Sequence, residues 1–227
     1  MVMAEATNHY FKHLGVSDGL SQVCIPSIYQ DELGAVWLGT TEGLNRYNGK
    51  DVKVFQPSES NHGLTNNEIN ELCGDKNGRM YIRSGNDLIK LDIYTEQFTC
   101  LRQKGVYGLF CKKDTLWVSC ADGIYYYTGQ GTELTFFARV QKGFVGRALY
   151  VDKETVWVVT RKYLVAISRE DPLRQDILLT LDKGNCILGD SSGNIWVGAW
   201  NGLYRVSPDR ETTAYVSHSG MGELSDN

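Results

Sequence analysis

The sequence predicts an all-β fold, a β-propeller of four-stranded blades, from three observations. An aromatic residue returns at intervals of 36 to 44 residues, at Trp37, Tyr81, Trp117, Trp157 and Trp196. An Asp-x-x-Gly turn begins six residues before three of these aromatics. The chain has 24 Gly and only 4 Pro in 227 residues, which suits many tight turns between paired strands. A period near 40 with four short strands per period is typical of propeller blades.

The first copy shows the order of elements within a repeat. Residues 31–47 read DELGAVWLGTTEGLNRY, and residues 190–204 repeat the pattern as DSSGNIWVGAWNGLY. Asp31 can cap its own turn, and Gly34 supplies the positive φ that such a turn requires. A short apolar strand around Trp37, a second turn and a returning strand that ends at Tyr47 follow. An apolar strand before the unit and a polar strand after it complete four strands.

The repeats predict five blades, about one per 40 residues. The blades take residues 20–62, 63–104, 105–142, 143–182 and 183–219, and the blades at 105–142 and 143–182 have shortened turns at Lys113-Asp114 and Lys153-Glu154. Residues 1–9 are predicted to form a tail, residues 10–14 the outer strand of a closing blade, and residues 220–227 the start of a further blade. The sequence therefore predicts a fragment of a larger propeller. Leucine-rich and helical repeats fit less well, because they need a shorter period or a 3.6-residue pattern.

Composition excludes several classes of function. The net charge is −4 and no basic run occurs, which argues against a nucleic-acid surface. No stretch approaches 18 consecutive apolar residues, so no membrane-spanning helix is expected. The aromatic column is predicted to be core, because a buried Trp removes about 150–250 Å² from water.

Six cysteines would suggest disulfides in an oxidising compartment, but their positions fit better with packing as small apolar side chains. Most lie on or beside predicted buried strands, as do Cys24, Cys73, Cys111, Cys120 and Cys186. None forms a C-x-x-C pair, and Cys-His spacing typical of zinc is absent, so neither a metal nor a cofactor is expected.

Three phrases carry a resemblance to a known family. The phrases GLSQVCIPSIYQDELGAVWLGTTEGLNRYNG, GLTNNEINELCGDKNGRMYIRS and DSSGNIWVGAWNGLYRV resemble two-component regulator propeller repeats. Such repeats occur in the extracytoplasmic sensor regions of hybrid two-component systems, best known from gut Bacteroides. The resemblance implies a seven-bladed propeller in the periplasm, a sensor that is not itself an enzyme, and a carbohydrate-derived signal. It also implies a membrane-spanning histidine kinase elsewhere in the protein, with further blades, neighbouring sensor domains and a second copy as partners.

The turns that join the second and third strands of each blade are the predicted ligand-binding surface. Trp200 stands out there, because the corresponding turns carry small or polar residues. Its indole could stack on a sugar ring, or it could pack on a neighbouring loop or a partner domain. The predicted binding residues are Glu42, Asn86, Asp122, Arg161, Lys162, Trp200 and Asn201.

Two other functions remain open from the sequence. A propeller that docks another protein would use the same loops. A propeller lyase or hydrolase would need a central base, but none of the four histidines falls on a predicted inner strand. The repeated aspartates at 31, 75 and 190 are explained by turn chemistry, so no catalytic residue is predicted.

Overall fold

Twenty strands form five antiparallel sheets in the computed structural model, which describes residues 13–57, 63–141 and 144–215. The first two sheets contain β1 (Ser27–Gln30), β2 (Val36–Thr40), β3 (Gly43–Tyr47), β4 (Val52–Phe55), β5 (Ile69–Gly74), β6 (Arg79–Ser84), β7 (Asp87–Asp92) and β8 (Gln97–Arg102). The third contains β9 (Val106–Lys112), β10 (Thr115–Cys120), β11 (Gly123–Tyr127) and β12 (Thr135–Ala138). The last two contain β13 (Gly146–Val151), β14 (Thr155–Thr160), β15 (Tyr163–Ser168), β16 (Gln175–Thr180), β17 (Gly184–Gly189), β18 (Ile195–Ala199), β19 (Gly202–Val206) and β20 (Thr212–Tyr215).

Each sheet is built from four strands that are consecutive in sequence. The hydrogen-bonded order within every sheet is first, second, third, fourth, and all the pairs are antiparallel. The first strands of successive sheets contact one another, β1 with β5, β5 with β9, β9 with β13 and β13 with β17. This is the arrangement of propeller blades around an axis, with the first strand of each blade innermost, and it confirms the predicted fold and the five blades. Below, the sheets are called blades 1 to 5 in chain order.

Parts of the predicted layout stay predictions. Residues 1–9 and 220–227 lie outside the described residues, as do residues 10–12 of the predicted outer strand, whose last two residues, His13 and Leu14, form no strand. The described chain instead begins near a short 3₁₀ turn at Val16–Asp18. Within the described residues, no helical segment has the length and apolar character needed to cross a bilayer.

The core consists of four apolar clusters, one at each contact between successive blades. Trp37 of blade 1 packs with Ile69 and Ile82 of blade 2, and Tyr81 of blade 2 packs with Val118 and Tyr127 of blade 3. Corresponding clusters join blades 3 and 4 and blades 4 and 5. The aromatic column therefore lies between sheets, as predicted for core residues, and each of its first four members is buried.

The fifth aromatic, Trp196, is only half-buried. It stacks on Tyr215 of its own blade with ring centroids 5.9 Å apart, because no further sheet covers this face in the described part of the chain. Two of the cysteines predicted to be buried are exposed, and this uncovered face explains one of them, Cys186. Cys186 and Leu188 on β17 lie on the uncovered side and are exposed, and Cys24, in the loop before β1, is exposed too.

The turn aspartates bind the aromatic column directly. Asp31 Oδ1 accepts the backbone N–H groups of Leu33 and Ala35, while Oδ2 accepts the Trp37 indole N–H at 2.7 Å. Asp190 binds Trp196 in the same way at 2.9 Å. One carboxylate thus fixes both the turn and the rotamer of the buried aromatic. These bonds, with those of Asn194, lower the pKa of Asp190 to about 2.

Blade 4 has the same interaction at a residue that the sequence analysis passed over. Asp152 Oδ1 accepts the backbone N–H groups of Glu154 and Thr155, and Oδ2 accepts the Trp157 indole N–H at 2.6 Å. The turn is shorter by one residue and has no Gly, so the Asp-x-x-Gly pattern did not identify it. Its function in the blade is nevertheless unchanged.

Replacement of three tryptophans by Ala should give graded losses of stability. We expect Trp37→Ala to cost about 3–5 kcal/mol, because it removes a fully buried indole and leaves Asp31 without a partner. Trp196→Ala should cost about half as much, and Trp200→Ala less than about 0.5 kcal/mol, since Trp200 is 78% exposed. Chemical denaturation of the three variants measures this order, and equal losses for Trp37 and Trp200 would contradict the column assignment.

The half-buried carboxyl of Glu71 should make the stability of the protein depend on pH. Glu71 Oε2 accepts the Leu109 N–H of blade 3 at 3.1 Å and an Arg83 N–H at 3.3 Å, but burial dominates and raises the Glu71 pKa from 4.5 to about 6. The folded state therefore holds this proton more tightly than the unfolded state. The stability that the protonated Glu71 carboxyl contributes is complete below about pH 4.5 and is lost as pH rises through about 6.

The free energy of unfolding of Glu71→Gln should consequently rise relative to that of the unchanged protein between pH 4.5 and 7, by up to about 2 kcal/mol. Urea denaturation across this range measures the difference. Glu68→Gln, at an exposed position on the loop that leads into β5, is the control and should follow the unchanged protein. A difference for Glu71→Gln that does not vary with pH would show that burial does not govern this carboxyl.

Candidate functional site

The turns between the second and third strands of the blades lie on one face of the propeller. In blade 1 the Gly43 N–H donates to Asn67 O in the loop that leads into β5, and in blade 2 the Gly85 N–H donates to Glu68 O in the same loop. Corresponding bonds join Val106 to Asn86, and Ala121 to Gly105. The turns and the incoming loops therefore form a continuous rim of backbone hydrogen bonds, which we call the loop face.

Three of the predicted site residues lie on separate blades of the loop face. Glu42 is in the turn of blade 1, Asn86 in that of blade 2 and Asp122 in that of blade 3. Asp122 has partners in the protein, because its carboxylate accepts hydrogen bonds from Arg102 at 2.7 Å and from the Tyr125 hydroxyl at 2.9 Å. Within the described residues, the side chains of Glu42 and Asn86 have no hydrogen-bond or ion-pair partner.

The other four predicted residues come together where blades 4 and 5 meet. Arg161 and Lys162 form the turn of blade 4, and Trp200 and Asn201 form that of blade 5. The loop that leads into β17 bridges them. Its Leu181 and Gly184 N–H groups donate to Lys162 O (2.7 Å) and Arg161 O (3.0 Å), and its Asp182 O accepts the Trp200 N–H (2.9 Å).

The sequence folds this way locally for two reasons. Thr160 ends β14, and its hydroxyl oxygen accepts the N–H groups of Lys162 and Tyr163, which fixes the blade 4 turn. Gly184 passes so close to that turn that a Cβ atom would come within 2.5 Å of Thr160 O. Only glycine therefore allows the incoming loop to approach the turn this closely.

Lys183, which the sequence analysis did not single out, completes this group. Its ammonium nitrogen lies 4.6 Å from the centroid of the Trp200 ring, a cation–π distance. With Arg161 and Lys162 of the neighbouring turn, Lys183 brings the number of cationic residues at this edge to three, against one carboxylate, Asp182. A signal existed in the sequence, because Lys183 precedes the glycine that begins the inner strand. Its position over the ring depends on a left-handed backbone, φ 49°, which the sequence does not reveal.

A pocket on the loop face lies at the boundary between blades 3 and 4. It has a volume of about 520 Å³ and lies between Asp122, Arg139, Gln141 and Phe144. Phe144 packs edge-on against Tyr163 with centroids 4.8 Å apart, and the Lys162 ammonium lies 5.5 Å from the Tyr163 ring. The pocket thus adjoins aromatic side chains of blade 4, and its lining includes no residue of the Trp200 group.

A second pocket, of about 440 Å³, lies on the opposite face between blades 4 and 5. Several of its charged side chains form ion pairs or hydrogen bonds within the protein. Arg210 forms an ion pair with Asp176 at 2.7 Å, and Arg169 donates to the carbonyl oxygens of Asp152 and Lys153. On the loop face Arg161, Lys162 and Lys183 form no ion pair in the described part of the chain, and that face has the exposed aromatic, so it is the stronger candidate site.

Metal chemistry finds no support in the described residues. They contain no group of three or more His, Cys, Asp or Glu side chains that could hold an ion. Of the histidines, His13 alone lies in the described ranges, and His9, His62 and His218 lie outside them. The turn aspartates 31, 152 and 190 are occupied by indole and backbone N–H groups.

Comparison with known proteins confirms the resemblance to two-component regulator propeller repeats. The family described as Two component regulator propeller matches residues 19–42, which include all of β1 and β2. A segment of 53 residues is 40% identical to histidine kinase P4 of Formosa agariphila; it covers 23% of this chain and 4% of that protein. A segment of this chain is therefore similar to a small part of a much longer protein.

Solved structures share the fold over nearly the whole chain. The extracellular domain of the putative hybrid two component system BT3049 from B. thetaiotaomicron superposes with a TM-score of 0.78 at 23% identity, covering 89% of this chain and 31% of that one. The extracellular domain of the putative one component system BT4673 from the same organism gives 0.75 at 19% identity, covering 91% and 33%. The chain thus spans about a third of these structures, and the likeness establishes the propeller fold.

On the loop face, replacement by Ala should cost more stability at a side chain that has hydrogen-bond partners than at an exposed one. We expect Asp122→Ala to cost up to about 1 kcal/mol, because Arg102 and the Tyr125 hydroxyl lose their acceptor on a partly exposed surface. Arg161→Ala should change stability by less than about 0.5 kcal/mol, because Arg161 is exposed. Urea denaturation of both variants decides this, and a larger loss for Arg161 would mean that it is structural.

Proposed function

We propose that this chain is part of an extracytoplasmic, non-enzymatic sensor domain that binds a carbohydrate-derived signal carrying acidic groups. In this proposal, the domain passes the signal to a membrane-spanning histidine kinase in other parts of the protein. The similarity of residues 19–42 to two-component regulator propellers and the extracellular domains that share the fold support this assignment. Periplasmic placement follows from the same reasoning.

The observation that carries the ligand proposal is the environment of Trp200. Trp200 is 78% exposed on a turn, whereas the other four tryptophans are buried or half-buried, so its indole is open to a ligand. Indole rings stack on the apolar faces of sugars, while the flanking cations suit carboxylate or sulfate groups. Lys183 already lies at 4.6 Å from the ring centre, so a stacked acidic sugar could bind both groups at once.

The chain contributes several binding elements at a single edge. Arg161 and Lys162 are exposed in the turn of blade 4, and Asn201, next to Trp200, adds an amide for hydroxyl groups. Glu42, Asn86 and Asp122 lie around the rim on blades 1 to 3, so they belong to the proposed site only if the ligand is long enough to cross several blades. Further blades, neighbouring sensor domains and a second copy of the protein are proposed partners.

Docking of another protein is the second candidate function. An exposed tryptophan with neighbouring cations also fits an acidic protein surface, because Trp and Arg are enriched at the centres of interfaces. The two functions differ in whether a small soluble sugar is sufficient for binding.

Thermal shift of the complete extracytoplasmic region against a panel of oligosaccharides tests the proposal. The panel contains uronic-acid and sulfated oligosaccharides beside neutral ones of matched length. A ligand that binds only the folded state raises the melting temperature, and we expect the acidic members to do so. Salt should weaken their binding, because exposed charges are screened.

Variants then locate the site. Trp200→Ala and Lys183→Ala should each weaken binding about tenfold, which corresponds to about 1.4 kcal/mol. Lys50→Ala, an exposed lysine in the turn between β3 and β4, is the matched control and should bind normally. A flat response to the whole panel would favour the docking function, and a hit that Trp200→Ala leaves unchanged would place the site elsewhere.

A further inference from the structure

Two cysteines approach each other across the boundary between blades 2 and 3. Cys73 lies on β5 and Cys111 on β9, the innermost strands of the two blades, and their sulfur atoms are 2.7 Å apart. The structure holds both as thiols. No other pair of the six cysteines has a sulfur–sulfur contact. This contact is therefore specific to one pair and not a consequence of many cysteines.

Strand register explains why the two side chains face each other. Cys73 is paired with Tyr81, whose ring points toward blade 3 and packs on Tyr127. Cys111 is paired with Leu116, one residue before Trp117, so it lies on the face opposite to that tryptophan. Since directly paired residues share a face and neighbours along a strand alternate, Cys73 points forward to blade 3 and Cys111 points back to blade 2.

The distance is close to that of a covalent bond. A disulfide has a sulfur–sulfur distance of about 2.05 Å, so closure requires the two atoms to approach by about 0.7 Å. Rotation about the two Cα–Cβ bonds can supply such a movement. We propose that Cys73 and Cys111 form a disulfide bond that covalently joins the inner strands of blades 2 and 3.

The bond forms by ordinary thiol–disulfide exchange with a disulfide oxidant such as oxidised glutathione. The thiolate of one cysteine attacks a sulfur of the oxidant and releases one reduced glutathione. The second cysteine attacks the mixed disulfide, and a second glutathione leaves. Two protein thiols are oxidised and one glutathione disulfide is reduced to two thiols.

The bond would strengthen a blade contact that lacks the aspartate–indole hydrogen bond of blades 1, 4 and 5. Blade 2 has Tyr81 where others have Trp, so Asp75 binds the side chain of Arg79 instead of an indole. The Tyr81 hydroxyl is buried, without a hydrogen-bond partner in the described residues. Cys73 and Cys111 pack against the same cluster as Tyr81.

Peptide mapping under non-reducing conditions tests the proposal directly. The purified protein is equilibrated with a mixture of oxidised and reduced glutathione, its remaining thiols are alkylated, and it is digested with trypsin. Trypsin cleaves after Lys53, Lys76, Lys104 and Lys112, so each cysteine falls on a peptide that contains no other. We expect peptides 54–76 and 105–112 to be linked and the other four cysteines to be alkylated. Six alkylated cysteines, or a different linked pair, would overturn the proposal.

Stability provides the second readout. Because the bond closes a loop between residues 38 positions apart, the oxidised protein should melt about 5–15 °C higher than the reduced protein. Cys73→Ser and Cys111→Ser should each abolish both the linked peptides and the effect of reductant. Cys186→Ser, at an exposed cysteine on blade 5, is the control and should keep both. Should a serine variant fail to fold, the peptide map of the unchanged protein still decides the question.

Discussion

The structure depends on a carboxylate that accepts hydrogen bonds from a turn and from a buried indole together. Asp31, Asp152 and Asp190 each use one oxygen for backbone N–H groups and the other for a tryptophan. An indole N–H that entered the core without a partner would cost about 1–3 kcal/mol. The aspartate avoids this cost and fixes the direction in which the ring leaves its sheet. Because the ring fills the space to the next blade, a local turn thereby sets a contact between sheets.

Blades 2 and 3 show what replaces this interaction when a partner changes. In blade 2 a tyrosine takes the place of tryptophan, and Arg79 occupies the freed oxygen of Asp75. In blade 3 the turn has no equivalent aspartate, and Trp117 is held by Tyr126 and Phe137 and by the Arg169 guanidinium, 5.6 Å from its ring. These substitutes use packing and charge from neighbouring residues. The same ring position is kept although the hydrogen bond is lost.

Much of the fold could be predicted because its determinants are local. The spacing of Trp37, Tyr81 and Trp117 counts blades directly, and the predicted strands overlap those of the structure in every sheet. The sequence did not reveal which face of its strand each residue lies on, or which side chains of neighbouring blades meet. Cys73 and Cys111 were predicted as independent apolar residues, and a one-residue offset in strand pairing turns them toward each other. Predicting that offset requires the register of two hairpins.

The candidate site was also predicted only in part. The turns were found from the repeat, and Trp200 was recognised because it differs from the residues at equivalent turns. Which turns lie close together follows from the loop at 181–184, whose backbone bonds join blades 4 and 5. Lys183 depends on a single left-handed residue, and Asp122 on a side-chain ion pair with Arg102. Neither conformation has a signature in the amino-acid pattern.

The pairing of consecutive strands alone has a kinetic consequence. Since each of the five described sheets is built from four consecutive strands, every hairpin within them closes a short loop, and the entropy lost before its contacts form is small. A blade of about 40 residues can therefore assemble while the next one is still being synthesised, and each finished sheet offers an apolar face on which its successor condenses. The blades would then fold in the order in which they are synthesised, and neighbouring blades would be those that folded one after the other.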